Sequence, residues 1–219
     1  MNERPSIANS RLYGILDLGY VARDKVIDTA RALASGPESC RVDILQLRAK
    51  NVPVEDVQSM AAELLPVTRD SGIPFIINDH PKIAAAVGSE GVHVGQADLG
   101  VEEVRAIVGP DAIVGKSTHS LDQAMAAAEE DIDYIGFGPL FATPTKPGRP
   151  AIGLEDVSTA HQRLSSGFPV FCIGGIKLEN LPEVLAAGAR RIVVVSGILD
   201  AGDIPARISR LKALLPPRA

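Results

Sequence analysis

IPFIINDHPKIAAAVGSEGVHVGQADL, residues 73–99, is the stretch whose reading decides the fold. IPFIIN (73–78) is a short β-rich apolar run, and EGVHVG (90–95) is a second. Between them lies a helical segment that stops at Gly88, a residue suited to the left-handed position after a helix. Each apolar run is followed at once by polar residues, Asn78-Asp79-His80 after the first and Gln96-Ala97-Asp98 after the second. Strand, helix and strand in so few residues make a parallel β-α-β unit, with both polar clusters at the same end of the sheet.

The unit repeats outward in both directions. Further β-rich runs occur at LYGILD (12–17), VDILQL (42–47), DAIVGKS (111–117), DYIGFG (133–138), PVFCIG (169–174) and RIVVVS (191–196). Segments between them carry helical spacing, as in Val57, Met60, Ala61, Leu64 and Leu65, or Leu181, Val184, Leu185 and Gly188. Ser120 is placed to cap one helix, Gly72 to end another, and Pro182 to sit in a first turn, where its missing N–H costs little. Eight units fit either an open doubly wound sheet or a closed barrel. The count of eight, and LDLGYV where a dinucleotide-binding sheet would carry G-x-G-x-x-G, favour an α/β (β/α)8 TIM barrel. The expected organisation is a loose N-terminal segment over 1–10 and one barrel domain over 11–215.

At 219 residues, 46% hydrophobic and 22% charged, with a formal net charge of −5, the chain has the balance of an ordinary globular protein. No basic tract points to nucleic acid, so an anionic ligand would need a local cluster of cations. No run of about 18 apolar residues and no leader-like apolar segment occurs, giving the expectation of a cytoplasmic protein without a membrane partner. Cys40 and Cys172 have no metal-ligand spacing, and Cys172 reads as an inert core thiol.

In a closed barrel, reacting groups follow the carboxyl ends of the strands. After the second run, LQLRAK puts Gln46, Arg48 and, if the strand extends that far, Lys50 on one face by the period-2 pleat. Asn78 and Asp79 follow the third run and Asp98 the fourth. Two carboxylates from adjacent strands suit Mg2+ shared with a diphosphate, although either one alone could simply cap a helix. GKSTHS offers Ser117 and Thr118 beside a helix start. The longest loop, GPLFATPTKPGRPAIG, carries Thr143, Thr145, Lys146 and Arg149, and reads as an ordered lid with a phosphate clamp. Gly174 and Gly175 after the seventh run, with Ser196 and Gly197 after the eighth, form the usual phosphate position of such barrels. His93 alternates with Val92 and Val94 and fits a packed or a site role; His80, His119 and His161 read as rim or surface residues. With no H-E-x-x-H motif or Cys/His cluster, a structural zinc site is not expected.

LQLRAK, IINDH, EGVHVGQADL, GKSTHS, DYIGFGPLFATPTKPG and FCIGGI, in this order, resemble the thiamine-phosphate synthase family over nearly the whole chain. The resemblance implies that 4-amino-2-methyl-5-pyrimidinylmethyl diphosphate loses pyrophosphate and the nitrogen of a thiazole phosphate, plain or carboxylated, takes its place. Carried over by position, Gln46, Leu47, Arg48, Ala49, Lys50 and Asn78 would hold the pyrimidine diphosphate. Ser117 and Lys146 would help bind its phosphates, and Asp79 and Asp98 would hold Mg2+. Thr143, Pro144, Thr145, Gly175, Val195 and Ser196 would meet the thiazole phosphate. Arg48, Lys50, Lys146 and Ser117 would then be the catalytic groups, stabilising charge on the departing anion. The sequence departs from the family at His80, where arginine is common, and at Ala49 and Ala97, where acids are common.

Three other readings share the same barrel. A thiazole tautomerase would need no diphosphate grip, a Schiff-base aldolase would use Lys50 or Lys146 as a desolvated amine, and a catalytically silent barrel would only bind phosphate.

Overall fold

The computed structural model describes residues 7–143, 148, 150–164 and 168–217. Eight parallel strands close into one barrel in chain order: β1 Leu12–Asp17, β2 Ile44–Arg48, β3 Phe75–Asn78, β4 Gly91–Val94, β5 Ile113–Thr118, β6 Tyr134–Phe137, β7 Val170–Cys172 and β8 Ile192–Val194. The helices α1 Val26–Ala34, α2 Val54–Ser71, α3 Pro81–Val87, α4 Val101–Val108, α5 Leu121–Ala128, α6 Val157–Arg163 and α7 Leu181–Ala186 cross over between them. β8 is followed by two helices, the short α8 Ser196–Leu199 and α9 Ile204–Leu214. The chain is thus a single-domain TIM barrel.

The stop and start signals act as the sequence implies. Gly72 and Gly88 adopt φ of 64° and 71° after α2 and α3. Ser120 Oγ accepts the Gln123 amide at 3.2 Å, and Pro182 lies in the first turn of α7. Near the N-terminus, Ile7 is only 5% exposed and packs into the cluster inside the barrel. An apolar side chain gains by covering the open floor, so the chain is anchored from Ile7 onward.

The pleat sorts side chains into two cores. Outward residues such as Leu45, Leu47, Ile77, Val92, Val94 and Ile135 pack against the helices. Inside lie Tyr13, Ile15, Ile44, Ile76, Ile113, Tyr134, Phe171 and Val193. The same alternation puts Asp17, Gln46, Asn78, His93 and Ser117 on the inward set of five consecutive strands, with Asp17 opposite Arg48 and Asn78 opposite His93. Two tyrosines need room in this filled interior. At Gly115 a Cβ would stand 2.0 Å from Tyr134 Cζ, so only glycine lets the ring lie across the barrel.

Among the described residues no helix is long and apolar enough to cross a membrane.

Candidate active site

Three adjoining cavities open at the carboxyl end of the strands. The central one reaches down into the barrel between Tyr13, Ile15, Tyr134, Ile173, Val193 and Val195, with Gln46, Arg48, Asn78, His93 and Ser117 among its polar groups. Flat apolar walls with a polar edge suit a heteroaromatic ring. The second is bounded by Arg48, Lys50, Asn78, Asp79, Gln96, Asp98 and His119. The third lies between Gly138, Thr143, Gly174, Gly175, Val195 and Ser196. Ser117 is the one described residue that borders all three.

The second cavity is the charged one. Arg48 is held by the buried Asp17, whose Oδ2 accepts Nη1 at 2.6 Å while Oδ1 accepts the Gly19 amide at 2.9 Å. The strand ends at Arg48, and the chain turns two residues after Ala49 at Asn51, with φ of 60°. Lys50, between them, is half exposed at the rim of this cavity and pairs with Asp79. Asp79 itself adopts φ of 64°, a conformation that few non-glycine residues take and that Asp tolerates better than most. Its amide donates to the His93 carbonyl at 2.8 Å, tying this turn to β4. Burial pushes the Asp79 carboxyl upward; Lys50 pulls it down, and the Asp98 carboxylate beside it pushes it up again. Asp98 Oδ2 accepts the Gly95 amide at 2.6 Å, a local turn contact and not a helix cap.

Two carboxylates this close together, one of them partly buried, are a place where a divalent cation relieves repulsion. The wider balance agrees: Asp17, Asp79 and Asp98 face only Arg48 and Lys50 among the described residues of this cavity and its support. A diphosphate alone would add to a negative excess. The donor set therefore fits Mg2+ entering with its anion. No group of three or more His, Cys, Asp or Glu side chains suited to a metal occurs among the described residues.

The third cavity is built from backbone. Gly174 and Gly175 have φ of 102° and 65°, and at Gly175 a Cβ would meet Phe141 Cβ at 2.7 Å, so the β7–α7 loop and the long loop after β6 touch. Asn180 fixes this loop, accepting the Lys177 amide at 2.7 Å and donating to the Gly175 carbonyl at 2.9 Å. Val195 and Ser196 lead into α8 on the opposite side.

Of the residues singled out in the sequence, Gln46, Arg48, Lys50, Asn78, Asp79, Asp98, Ser117, Thr143, Gly175, Val195 and Ser196 all border these cavities. Leu47 does not: it is buried outward in the barrel–helix core, since it has the opposite pleat phase from Gln46 and Arg48. Ala49 is likewise buried in that core. Pro144, Thr145, Lys146 and Arg149 lie outside the described residues. His119, read as a rim residue, borders two of the cavities, with Nδ1 2.5 Å from the Gly138 carbonyl oxygen. His161, also read as rim or surface, has a buried Nε2 under α6, away from the cleft. Asp17, Tyr13 and Tyr134 escaped the sequence reading; an inward tyrosine on β1 and another on β6 were the available signal, since a buried phenol needs a partner.

The chain is similar to known proteins over most of its length. The thiamine monophosphate synthase family matches residues 12–198. The chain is 48% identical over 182 residues to the thiamine-phosphate synthase of Thermus thermophilus, covering 83% of this chain and 84% of the relative. It is 43% identical over 224 residues to that of Mycolicibacterium vanbaalenii, covering 98% of both. A solved thiamine phosphate pyrophosphorylase from Pyrococcus furiosus superposes with a TM-score of 0.83 at 29% identity, covering 95% of this chain and 96% of that one. With this fold and these relatives over most of its length, the chain belongs to the thiamine-phosphate synthase family of transferases.

Proposed function

We propose that the three cavities divide the reaction among them: the central one takes the aminopyrimidine ring, the charged one its diphosphate with Mg2+, and the glycine-walled one the thiazole phosphate. The observation that carries this reading is the convergence of Arg48, Lys50, Asp79 and Asp98 around one cavity that shares Ser117 with the other two.

In the reaction the carbon–oxygen bond to diphosphate breaks and its electron pair leaves with pyrophosphate. The aminopyrimidine delocalises the positive charge left on its methylene, and the thiazole nitrogen supplies the pair for the new carbon–nitrogen bond. The barrier is charge accumulation on the leaving group, so fixed donors aimed there are the protein's main contribution. Arg48, held by Asp17, supplies a guanidinium that needs no reorganisation. Lys50 is positioned by Asp79 and would shift to the diphosphate. Ser117 adds a hydroxyl donor, and Lys146 a further cation from the long loop. Asp79 and Asp98 would hold Mg2+, which when bound neutralises the developing anion. Thr143, Pro144, Thr145, Gly175, Val195 and Ser196 seat the thiazole phosphate, plain or carboxylated. The apolar walls Ile173, Val193 and Val195 keep water from capturing the cation.

A Schiff-base aldolase has no support at Lys50, which is half exposed and ion-paired with Asp79, whereas such an amine must be desolvated and neutral. The test is a coupled assay with purified protein. Pyrophosphate should appear, with thiamine phosphate, only when both substrates and Mg2+ are present; pyrophosphate release independent of the thiazole phosphate, or no product, would refute the reading.

A further inference from the structure

Five polar side chains from five strands form one buried file across the barrel. Gln46 Nε2 lies 2.8 Å from Tyr13 Oη, Tyr13 Oη 2.9 Å from Tyr134 Oη, Tyr134 Oη 3.0 Å from His93 Nδ1, and His93 Nε2 2.9 Å from Ser117 Oγ. We propose that this file is a one-way hydrogen-bond relay that fixes His93 as its Nε2–H tautomer and turns the Ser117 hydroxyl proton into the cleft.

The protons available along the file fix its direction. An amide nitrogen can only donate, so Tyr13 Oη accepts from Gln46. Tyr13 is wholly buried with one proton of its own, and Tyr134 is the remaining partner, so that proton goes to Tyr134. Tyr134 has then accepted one bond and has one proton left, which goes to His93 Nδ1. A neutral imidazole that accepts at Nδ1 carries its proton at Nε2, and this one donates to Ser117 Oγ. Ser117 Oγ meets no other partner among the described residues, so its own proton is left for the cavities it borders. Burial pushes both phenols well above their usual range, so each keeps its single proton at neutral pH.

The geometry of the rings supports a fixed file. Tyr134 stacks on His93 at 5.4 Å and 28°, and Phe171 meets the edges of both tyrosines at 5.5 and 5.6 Å. Gly115 leaves room for the Tyr134 ring. Reversing the Gln46 amide would reverse every bond, placing the His93 proton at Nδ1 and drawing the Ser117 proton away from the cleft. The direction is therefore a definite claim. Its consequence for catalysis, a hydroxyl pre-aimed at a substrate anion, rests on the function proposed above; the tautomer does not. His93 is a positioning residue in this account.

The experiment is nitrogen-15 NMR of histidine-labelled, substrate-free full-length protein at neutral pH. The four histidines are assigned by comparison with His93→Gln. The expected spectrum shows His93 protonated at Nε2 and bare at Nδ1. An Nδ1–H tautomer or an imidazolium would overturn the relay. Gln46→Glu, whose ionised carboxylate only accepts, and Tyr134→Phe, which removes the donor to Nδ1, should each disturb that single tautomer. An unchanged Nε2–H form in both would overturn it as well. Kinetics tests the positioning step: His93→Leu should lower kcat by less than the roughly 10²–10³-fold expected for deleting an oxyanion donor outright, as in Ser117→Ala. His93→Gln, which keeps an N–H donor, should recover most of the loss. A His93→Leu variant as fast as wild type would refute the positioning step, whereas wild type lacking synthase activity with the expected tautomer would refute only the functional reading.

Discussion

Arg48 and Asp17 face each other across the β1–β2 ladder, and the guanidinium Nη1 lies 2.6 Å from the carboxylate Oδ2. Asp17 is 1% exposed, and its other oxygen holds the Gly19 amide, so the carboxylate is locked from both sides. A locked anion in turn locks the cation at the cleft. Asp17→Asn keeps the shape but loses the charge-assisted bond, which is worth about 1.5–3 kcal/mol. The expected outcome is a lower kcat/KM by roughly tenfold or more at unchanged secondary structure. Steady-state kinetics with circular dichroism checks this. Arg48→Lys should not be rescued by intact Asp17, because an ammonium cannot bridge the carboxylate and a phosphate in the same fork geometry.

Gly115 tests the filled interior. Its substitution by alanine drives a methyl into the Tyr134 ring, with no outward escape from a closed barrel. Overpacking of this kind costs about 1–3 kcal/mol. Gly115→Ala should lower the urea midpoint and, by moving Tyr134, slow the reaction. Denaturation and rate measurements on one preparation check both effects.

His161 gives the fold a pH dependence separate from the active site. Burial first, then Arg191 and Arg190, lower its pKa to about 4 from the usual 6.5, and its Nε2 has no hydrogen-bond partner among the described residues. In the unfolded chain this group takes up a proton as pH falls through about 6.5, while in the folded chain it stays neutral until near pH 4. The unfolded state therefore binds more protons in that window, so stability falls as pH falls, by up to roughly 3–3.5 kcal/mol for the whole shift. His161→Gln should flatten the part of the decline between pH 7 and pH 5 that wild type shows in urea unfolding. An equal decline in both proteins would place its origin elsewhere.

The sequence made the fold legible because burial writes it with a simple period. Alternation in LQLR places Gln46 and Arg48 inward, the end of IIN places Asn78 at the rim, and Gly72 and Gly88 mark two helix ends. What stayed hidden were pairings between strands. LYGILD shows an acid at a strand end, but that Asp17 meets Arg48 depends on the register of β1 against β2, which no local pattern encodes. Tyr13 and Tyr134 lie far apart in sequence and read as apolar strand residues until the barrel closes and brings their hydroxyls together. Lys50 borders the cleft although the strand stops at Arg48, because the turn beyond the strand still brings it to the rim. Leu47 and Ala49 belong to a binding segment by position and to the outer core by pleat phase.

The account turns on Asp79 and Asp98 acting together with Mg2+ at the departing diphosphate. The direct measurement is the initial rate of pyrophosphate release against Mg2+ concentration, with both substrates present, for wild type, Asp98→Asn and Asp79→Asn. Each variant should need at least about tenfold more Mg2+ to reach half its maximal rate, a shift of roughly 1.4 kcal/mol in metal affinity per lost ligand. Superimposable Mg2+ curves for wild type and Asp98→Asn would contradict the account.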